Sequence, residues 1–124
     1  MTHRGRVEPG SEVFGRTLEH LIWMEIVAHA SYSEQFYPVT FWRTSSQLEV
    51  DFVLGEHEIA LEVKATEMAA RHHLKGLRAF KEEYGPRRCI LVSRDARPRR
   101  TEDGIEILPW DVFLRGLWDG AIMG

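Results

Sequence analysis

The chain has 124 residues, a formal net charge of −3 and a single cysteine. This length suits one domain with one core, and a lone cysteine excludes an internal disulfide and fits a reducing, cytoplasmic compartment. No apolar run approaches the ~20 residues of a membrane span, and the acidic balance disfavours strong general binding to nucleic acid. The motif Gly-x-x-x-x-Gly-Lys-Ser/Thr does not occur, so the chain is not by itself a P-loop ATPase.

The N-terminal part is predicted to be a tail followed by a helix. Residues 1–10 mix Arg, His, Gly and Pro without periodicity, which predicts a flexible tail before a single domain over residues 11–124. Ser11 is a suitable N-cap for a helix over residues 12–30, whose apolar side chains recur at helical spacing. Glu19 lies at the edge of that apolar face. Its carboxylate can therefore face a neighbouring sheet or remain on a solvated flank.

Three strands are predicted next, over residues 39–44, 49–54 and 59–64, as an antiparallel meander. Arg43, near the end of the first strand, can reach a phosphate or pair with a carboxylate at the sheet edge. In the second strand, Asp51 alternates with apolar residues that are expected to share one face: Val50, Phe52 and Leu54.

The tight turn between the second and third strands determines which charged residues meet. A loop over residues 55–58 sets a register in which Asp51 lies directly opposite Glu62, with Cβ atoms roughly 5 Å apart. Lys64 lies on the same face as Glu62, about 7 Å further along the strand. Two carboxylates this close repel each other unless a cation lies between them, and a divalent cation is the usual solution. The alternative is an exposed face on which Glu62 and Lys64 form a solvated ion pair.

A helical glutamate followed by an aspartate and a Glu-x-Lys motif in a hairpin resembles the PD-(D/E)XK nuclease superfamily. More narrowly, four segments are similar to a widespread prokaryotic domain of unknown function that usually forms the C-terminal part of AAA-type ATPases. These segments are Phe41-Trp42-Arg43-Thr44, Glu49-Val50-Asp51-Phe52-Val53, Leu61-Glu62-Val63-Lys64 and Leu108-Pro109-Trp110. If the resemblance holds, the ATPase module is absent, cut away or a separate protein.

The resemblance to the nuclease superfamily implies a role for each residue of the motif. Asp51 and Glu62 would hold Mg²⁺ or Mn²⁺, and the carbonyl of Val63 would add an oxygen ligand. Glu19 would bind the metal or its water shell. Lys64 would position or activate the attacking water.

The remaining predicted elements agree with the restriction-endonuclease-like fold that the resemblance implies. A helix over residues 68–84, a strand over 88–93, a strand over 105–108 and a helix opened by Pro109 follow the hairpin. Cys89 lies in an apolar strand, which favours packing over a nucleophilic role. We therefore expect an α/β (α+β) fold with an αβββαβ core, in which helices flank a mixed sheet.

Basic side chains are candidates for contact with nucleic acid. Besides Arg43, the second helix carries Lys75 and Arg78, and the loop after residue 93 carries Arg97 and Arg99. Each of these side chains either contacts a phosphate or faces solvent.

Three functions stay open at this point. The first is a nuclease that cuts DNA or RNA. The second is a non-catalytic nucleic-acid-binding, regulatory or assembly module that works with an AAA-type ATPase; the acidic charge and the lack of an aromatic-basic stacking platform favour it over a general nucleic-acid binder. The third is a homo-oligomerisation domain that uses the C-terminal helix, where Trp110 and Trp118 lie.

Overall fold

Residues 12–123 are described by a computed structural model, in which six strands form one mixed sheet and three helices pack against it. The helices are α1 (Glu12–Tyr32), α2 (Lys75–Tyr84) and α3 (Trp110–Trp118), and a 3₁₀ turn spans Arg71–Leu74. The strands are β1 (Val39–Arg43), β2 (Glu49–Leu54), β3 (Ile59–Val63), β4 (Arg88–Ser93), β5 (Arg99–Arg100) and β6 (Glu106–Pro109). The predicted tail and the predicted N-cap Ser11 lie outside the described residues.

The sheet has the strand order β1-β2-β3-β4-β6-β5. β1, β2 and β3 form the predicted antiparallel meander, and β4 is parallel to both β3 and β6. The short β5 pairs antiparallel with β6 and was not predicted, because it lies in the arginine-rich loop. The predicted mixed α+β architecture and the order of its main elements are confirmed.

One predicted helix boundary is wrong. The helix predicted from residue 68 begins at Lys75, after the 3₁₀ turn. The amide of Ala69 instead donates to the buried carboxylate of Asp95, at 3.1 Å. Because this amide is held by a distant side chain, the segment before the 3₁₀ turn follows the β4–β5 loop instead of continuing the helix.

The sheet is covered on both faces. α1 and α3 pack on one face, where Ile22, Ile26, Phe113 and Leu117 meet the strands. α2 packs on the other face. Cys89 lies in this second core, where burial raises the pKa of its thiol to about 11, as expected for a packing residue.

β2 contains a bulge, because two of its residues lie opposite a single residue of β1. The β1 residue is Phe41, and the two β2 residues are Asp51 and Phe52. A bulge re-aims the side chains on either side of it. The bulge therefore lies at the aspartate that the sequence singles out.

The bulge overturns the predicted alternation of β2. Phe52 packs on the α1–α3 face, whereas Val50 joins Val53 on the α2 face. Strict alternation had predicted Val50 and Phe52 on the same face. One extra residue in a strand inverts the direction of every side chain beyond it.

One tryptophan of the C-terminal helix makes contacts inside the domain. The indole N–H of Trp118 donates to the carboxylate of Glu25 at 2.8 Å, and its ring lies edge-on to His29. This contact holds α3 against α1.

Within residues 12–123, no helix has the length and apolar character needed to cross a membrane.

Candidate active site

Asp51 and Glu62 meet where β2 and β3 separate. Backbone pairing follows the predicted register as far as Phe52 and Leu61, and the ladder stops there. At the next position the amide of Asp51 donates to the Glu62 carboxylate at 2.9 Å, and the amide of Val63 donates to the Asp51 carboxylate at 2.8 Å. Each carboxylate therefore binds the backbone of the opposite strand and takes the place of a ladder hydrogen bond.

Burial disfavours the state in which both carboxylates of this pair are ionised. Desolvation, together with the charge of Asp51, raises the pKa of Glu62 to about 8. Desolvation also raises the pKa of Asp51, against the opposing effects of the Val63 amide and Lys64. The Nζ of Lys64 lies 3.4 Å from Oε2 of Glu62 and compensates only part of the cost. At neutral pH the pair therefore favours a bound proton or a bound cation.

Glu19 reaches the same region from α1. It lines a cavity of about 230 Å³ that also contains Glu49, Asp51 and Arg43. Burial raises the pKa of Glu19, and the charges of Asp51 and Glu49 raise it further. The structure thus places the helical glutamate beside Asp51, which is one of the two positions that the sequence left open.

The immediate donor set for a metal consists of two carboxylates. Among residues 12–123, no three His, Cys, Asp or Glu side chains are grouped as ligands, so Glu19 stands outside the Asp51–Glu62 pair. The N–H of Val63 points towards β2, and its carbonyl points the same way, since the two groups of one strand residue lie on the same side. Two carboxylates and one carbonyl are hard oxygen donors, and Mg²⁺ commonly takes one or two protein carboxylates. These residues fit Mg²⁺ or Mn²⁺.

Two further polar residues lie near the site, Glu49 and His73, of which Glu49 was not identified from the sequence. Glu49 lines the cavity and forms an ion pair with Arg43 at 3.3 Å. Its position two residues before Asp51 is the sequence feature that could have identified it. His73 is half-buried, and its pKa is lowered first by burial and then by the charges of His72 and Lys64, which places it near the lysine.

The cations predicted to bind nucleic acid differ in their surroundings. The guanidinium of Arg78 forms two hydrogen bonds with Asp103, at 2.9 and 3.3 Å. Lys75 and Arg97 are exposed and form no hydrogen bond or ion pair with another residue in the described part of the chain. Arg78 therefore supports a loop, whereas the other two side chains are available to a ligand.

Arg99 is likewise part of a local network. It donates to the buried carboxylate of Asp95 at 3.2 and 3.3 Å, and to the carbonyl of Ala69 at 2.6 Å. Ser93 donates to the same aspartate. Arg99 thus stabilises the β4–β5 loop, and Arg43 has the carboxylate partner that the sequence suggested.

Comparison with known proteins gives one match. The family described as “Domain of unknown function (DUF4143)” matches residues 14–113. No curated protein and no solved structure matches the chain. The matched range runs from α1 into α3 and contains Glu19, Asp51, Glu62 and Lys64. The chain therefore belongs to the DUF4143 family of domains of unknown function.

Proposed function

We propose that this domain is a metal-dependent phosphodiester hydrolase, a nuclease of the PD-(D/E)XK type that acts on DNA or RNA. The observation that carries the proposal is the pair formed by the half-buried Asp51 and the buried Glu62, which share one end of a hairpin with Lys64. Buried carboxylates without a matching number of cations are costly in a purely structural position. Such groups are typical of functional sites.

The arrangement of elements supports the same proposal. The helical Glu19, the bulged strand with Asp51 and the strand with Glu62 and Lys64 occur in the order that the superfamily resemblance implies. The cavity beside Asp51 is open to solvent along β1, where Arg43 is exposed. A phosphate group could therefore approach Asp51 from this side.

Each residue would contribute a distinct part of the chemistry. Asp51, Glu62 and the Val63 carbonyl would hold a divalent cation, which when bound would supply Lewis acidity to the phosphate. Lys64 would donate a hydrogen bond to the attacking water or to a phosphate oxygen. Glu19 would accept hydrogen bonds from water in the cavity and fix its orientation.

Cleavage assays with matched lysine variants test the proposal. End-labelled single-stranded, duplex and branched DNA and RNA are incubated with Mg²⁺, Mn²⁺ or a chelator. We expect cleavage only with metal, loss of cleavage but retained Mn²⁺ binding in Lys64→Ala, and loss of both in Asp51→Ala. Lys81→Ala is the control, since Lys81 binds the Asp103 loop and should leave both unchanged. Wild-type protein that binds Mn²⁺ and cuts none of these substrates would refute the proposal.

Two observations favour a second candidate, a non-catalytic module that works with an AAA-type ATPase. Within residues 12–123 no third ligand joins the carboxylate pair, and Glu62 is only 4% exposed. In that case the pair would hold a proton and serve folding or assembly. Failure of the wild-type protein to bind Mg²⁺ or Mn²⁺ at pH 8 would favour this module over the hydrolase.

A further inference from the structure

An exposed aromatic ring lies at the mouth of the carboxylate cavity. Phe41 is 66% exposed, on the edge strand β1. The guanidinium carbon of Arg43 lies 5.4 Å from the centre of the Phe41 ring. Both side chains line the cavity that contains Asp51 and Glu19.

The Phe41 ring is not part of either hydrophobic core cluster. The neighbouring Trp42 packs edge-on against Phe80, at 5.4 Å between ring centres, on the α2 face. Alternation along β1 therefore turns Phe41 towards the opposite face, where most of its surface meets solvent. At the bulge, Phe41 lies opposite Asp51 and Phe52 together. The ring is thus a free apolar surface beside the proposed reaction centre.

We propose that Phe41 and Arg43 form a stacking platform for an unpaired base of a single-stranded nucleic acid whose phosphate enters the Asp51–Glu62 site. This inference rests on the proposed function for the position of the phosphate. An aromatic ring offers a stacking face that any base can use, and Arg43, which is paired with Glu49 at 3.3 Å, contributes cation–π attraction beside it. From the sequence alone no aromatic-basic platform was expected, because the pairing of Phe41 with Arg43 appears only in the structure.

The platform selects single strands over duplexes. A base within a duplex is already stacked on its neighbours, so Phe41 can bind only a base that is free of them. A duplex is held mainly by a row of cations along its phosphates. Here the net charge is −3, and two of the predicted phosphate ligands, Arg78 and Arg99, are occupied by Asp103 and Asp95.

Fluorescence anisotropy with labelled oligonucleotides tests the platform apart from cleavage. The probes are a ten-residue oligothymidine, the matching oligouridine and a duplex of the same length, with Ca²⁺ as the cation. We expect tighter binding to the single strands than to the duplex. The oligothymidine and oligouridine arms show whether the bound strand is DNA, RNA or both.

Two aromatic variants provide the matched comparison. Phe41→Ala should weaken single-strand binding about tenfold, whereas Phe41→Trp should keep it, because stacking contributes about one factor of ten or more per base. Phe36→Ala is the control: Phe36 is 68% exposed and lies outside the cavity, so its loss should not change affinity. Three results would overturn the platform. Phe41→Ala could bind single strands as tightly as wild type, both alanine variants could lose the same affinity, or the wild-type protein could prefer the duplex.

The outcomes separate this inference from the proposed hydrolase. Phe41-dependent binding by a protein that cuts none of the substrates supports the platform and refutes the hydrolase. Metal-dependent cleavage in which Phe41→Ala cuts single strands as fast as wild type supports the hydrolase and refutes the platform.

Discussion

Two glutamates buried in the same sheet have opposite surroundings. Glu106 on β6 receives two hydrogen bonds from Arg88 on β4, at 2.7 and 2.8 Å. Glu62 on β3 lies against a second carboxylate, that of Asp51, and its lysine partner is 3.4 Å away and half exposed. The first glutamate is neutralised by an arginine, whereas the second is neutralised at pH 7 by a bound proton.

The difference indicates which of the two sites has a purpose other than folding. Arg88 also donates to the carbonyl of Ala121 at 2.7 Å, so its pair with Glu106 ties two strands to the C-terminal segment. A buried ion pair whose hydrogen bonds are satisfied is a structural element. Glu62 and Asp51 instead share a single lysine and, without metal, hold a proton at neutral pH. Asp51 lines an open cavity, so a cation from solution can displace that proton.

The largest expected effect comes from breaking the structural pair. Arg88→Met leaves the buried Glu106 carboxylate with only the exposed Arg100, at 3.9 Å, as a cationic partner, so we expect a loss of about 3 kcal/mol in the free energy of unfolding. Lys64→Met should cost less than about 1 kcal/mol, because Lys64 is half exposed and its ion pair is screened by water. Urea unfolding of both variants measures the two values. Similar losses in the two variants would contradict the distinction between the sites.

The second expected effect is a dependence of stability on pH. The pKa of Glu62 is raised from 4.5 to about 8 by folding, so the folded state binds a proton that the unfolded state releases. Its contribution to stability is therefore full below pH 4.5 and is lost as pH rises towards 8. In a chelating buffer we expect a loss of about 3 kcal/mol between pH 5 and pH 8.

Glu62→Gln isolates this effect from other titrating groups. The variant should lose most of the pH dependence and should unfold at a higher temperature than wild type at pH 8 without metal. Thermal unfolding at four pH values between 5 and 8 provides the comparison. The assignment fails if wild type and Glu62→Gln show the same slope.

A smaller effect is expected where α2 touches β2. A Cβ added at Gly76 would lie 1.9 Å from the carbonyl oxygen of Glu49, two residues before Asp51. Gly76→Ala must therefore move a strand backbone, with an expected loss of about 2 kcal/mol in stability and weaker Mn²⁺ binding. Gly15→Ala in α1 is the control: no atom lies within 4 Å of the added Cβ, and alanine should stabilise that helix by up to about 1 kcal/mol. Unfolding curves and Mn²⁺ titration of both variants test this, and an unchanged Gly76→Ala protein would contradict it.

The sequence predicted the parts of the fold that local chemistry controls. The turn over residues 55–58 sets the register of the hairpin, which the pairing of Leu54 with Ile59 confirms. The αL conformation of Gly85 ends α2, as the Gly-Pro sequence predicted. These features depend on residues that are close together in the chain.

The features that the sequence did not predict depend on contacts between distant segments. The bulge at Asp51 appears only when β2 is aligned with β1, so alternation within β2 gave the wrong face for Val50. The pairing of Arg78 with Asp103 joins residues 25 positions apart, and no local pattern reveals it. The motif residues could be identified from their types and spacing, whereas the roles of Glu49 and Phe41 required the cavity.

The most direct measurement of the central claim is calorimetric titration of the protein with Mn²⁺ at pH 7, in two buffers that differ in their enthalpy of ionisation. We predict that each bound ion displaces about one proton from the Asp51–Glu62 pair, because a carboxyl group with a pKa of about 8 is mostly protonated at this pH. Glu62→Gln should bind Mn²⁺ more weakly and release no proton. Absence of binding, or binding by the wild-type protein without proton release, would contradict the claim that this buried pair is a cation site.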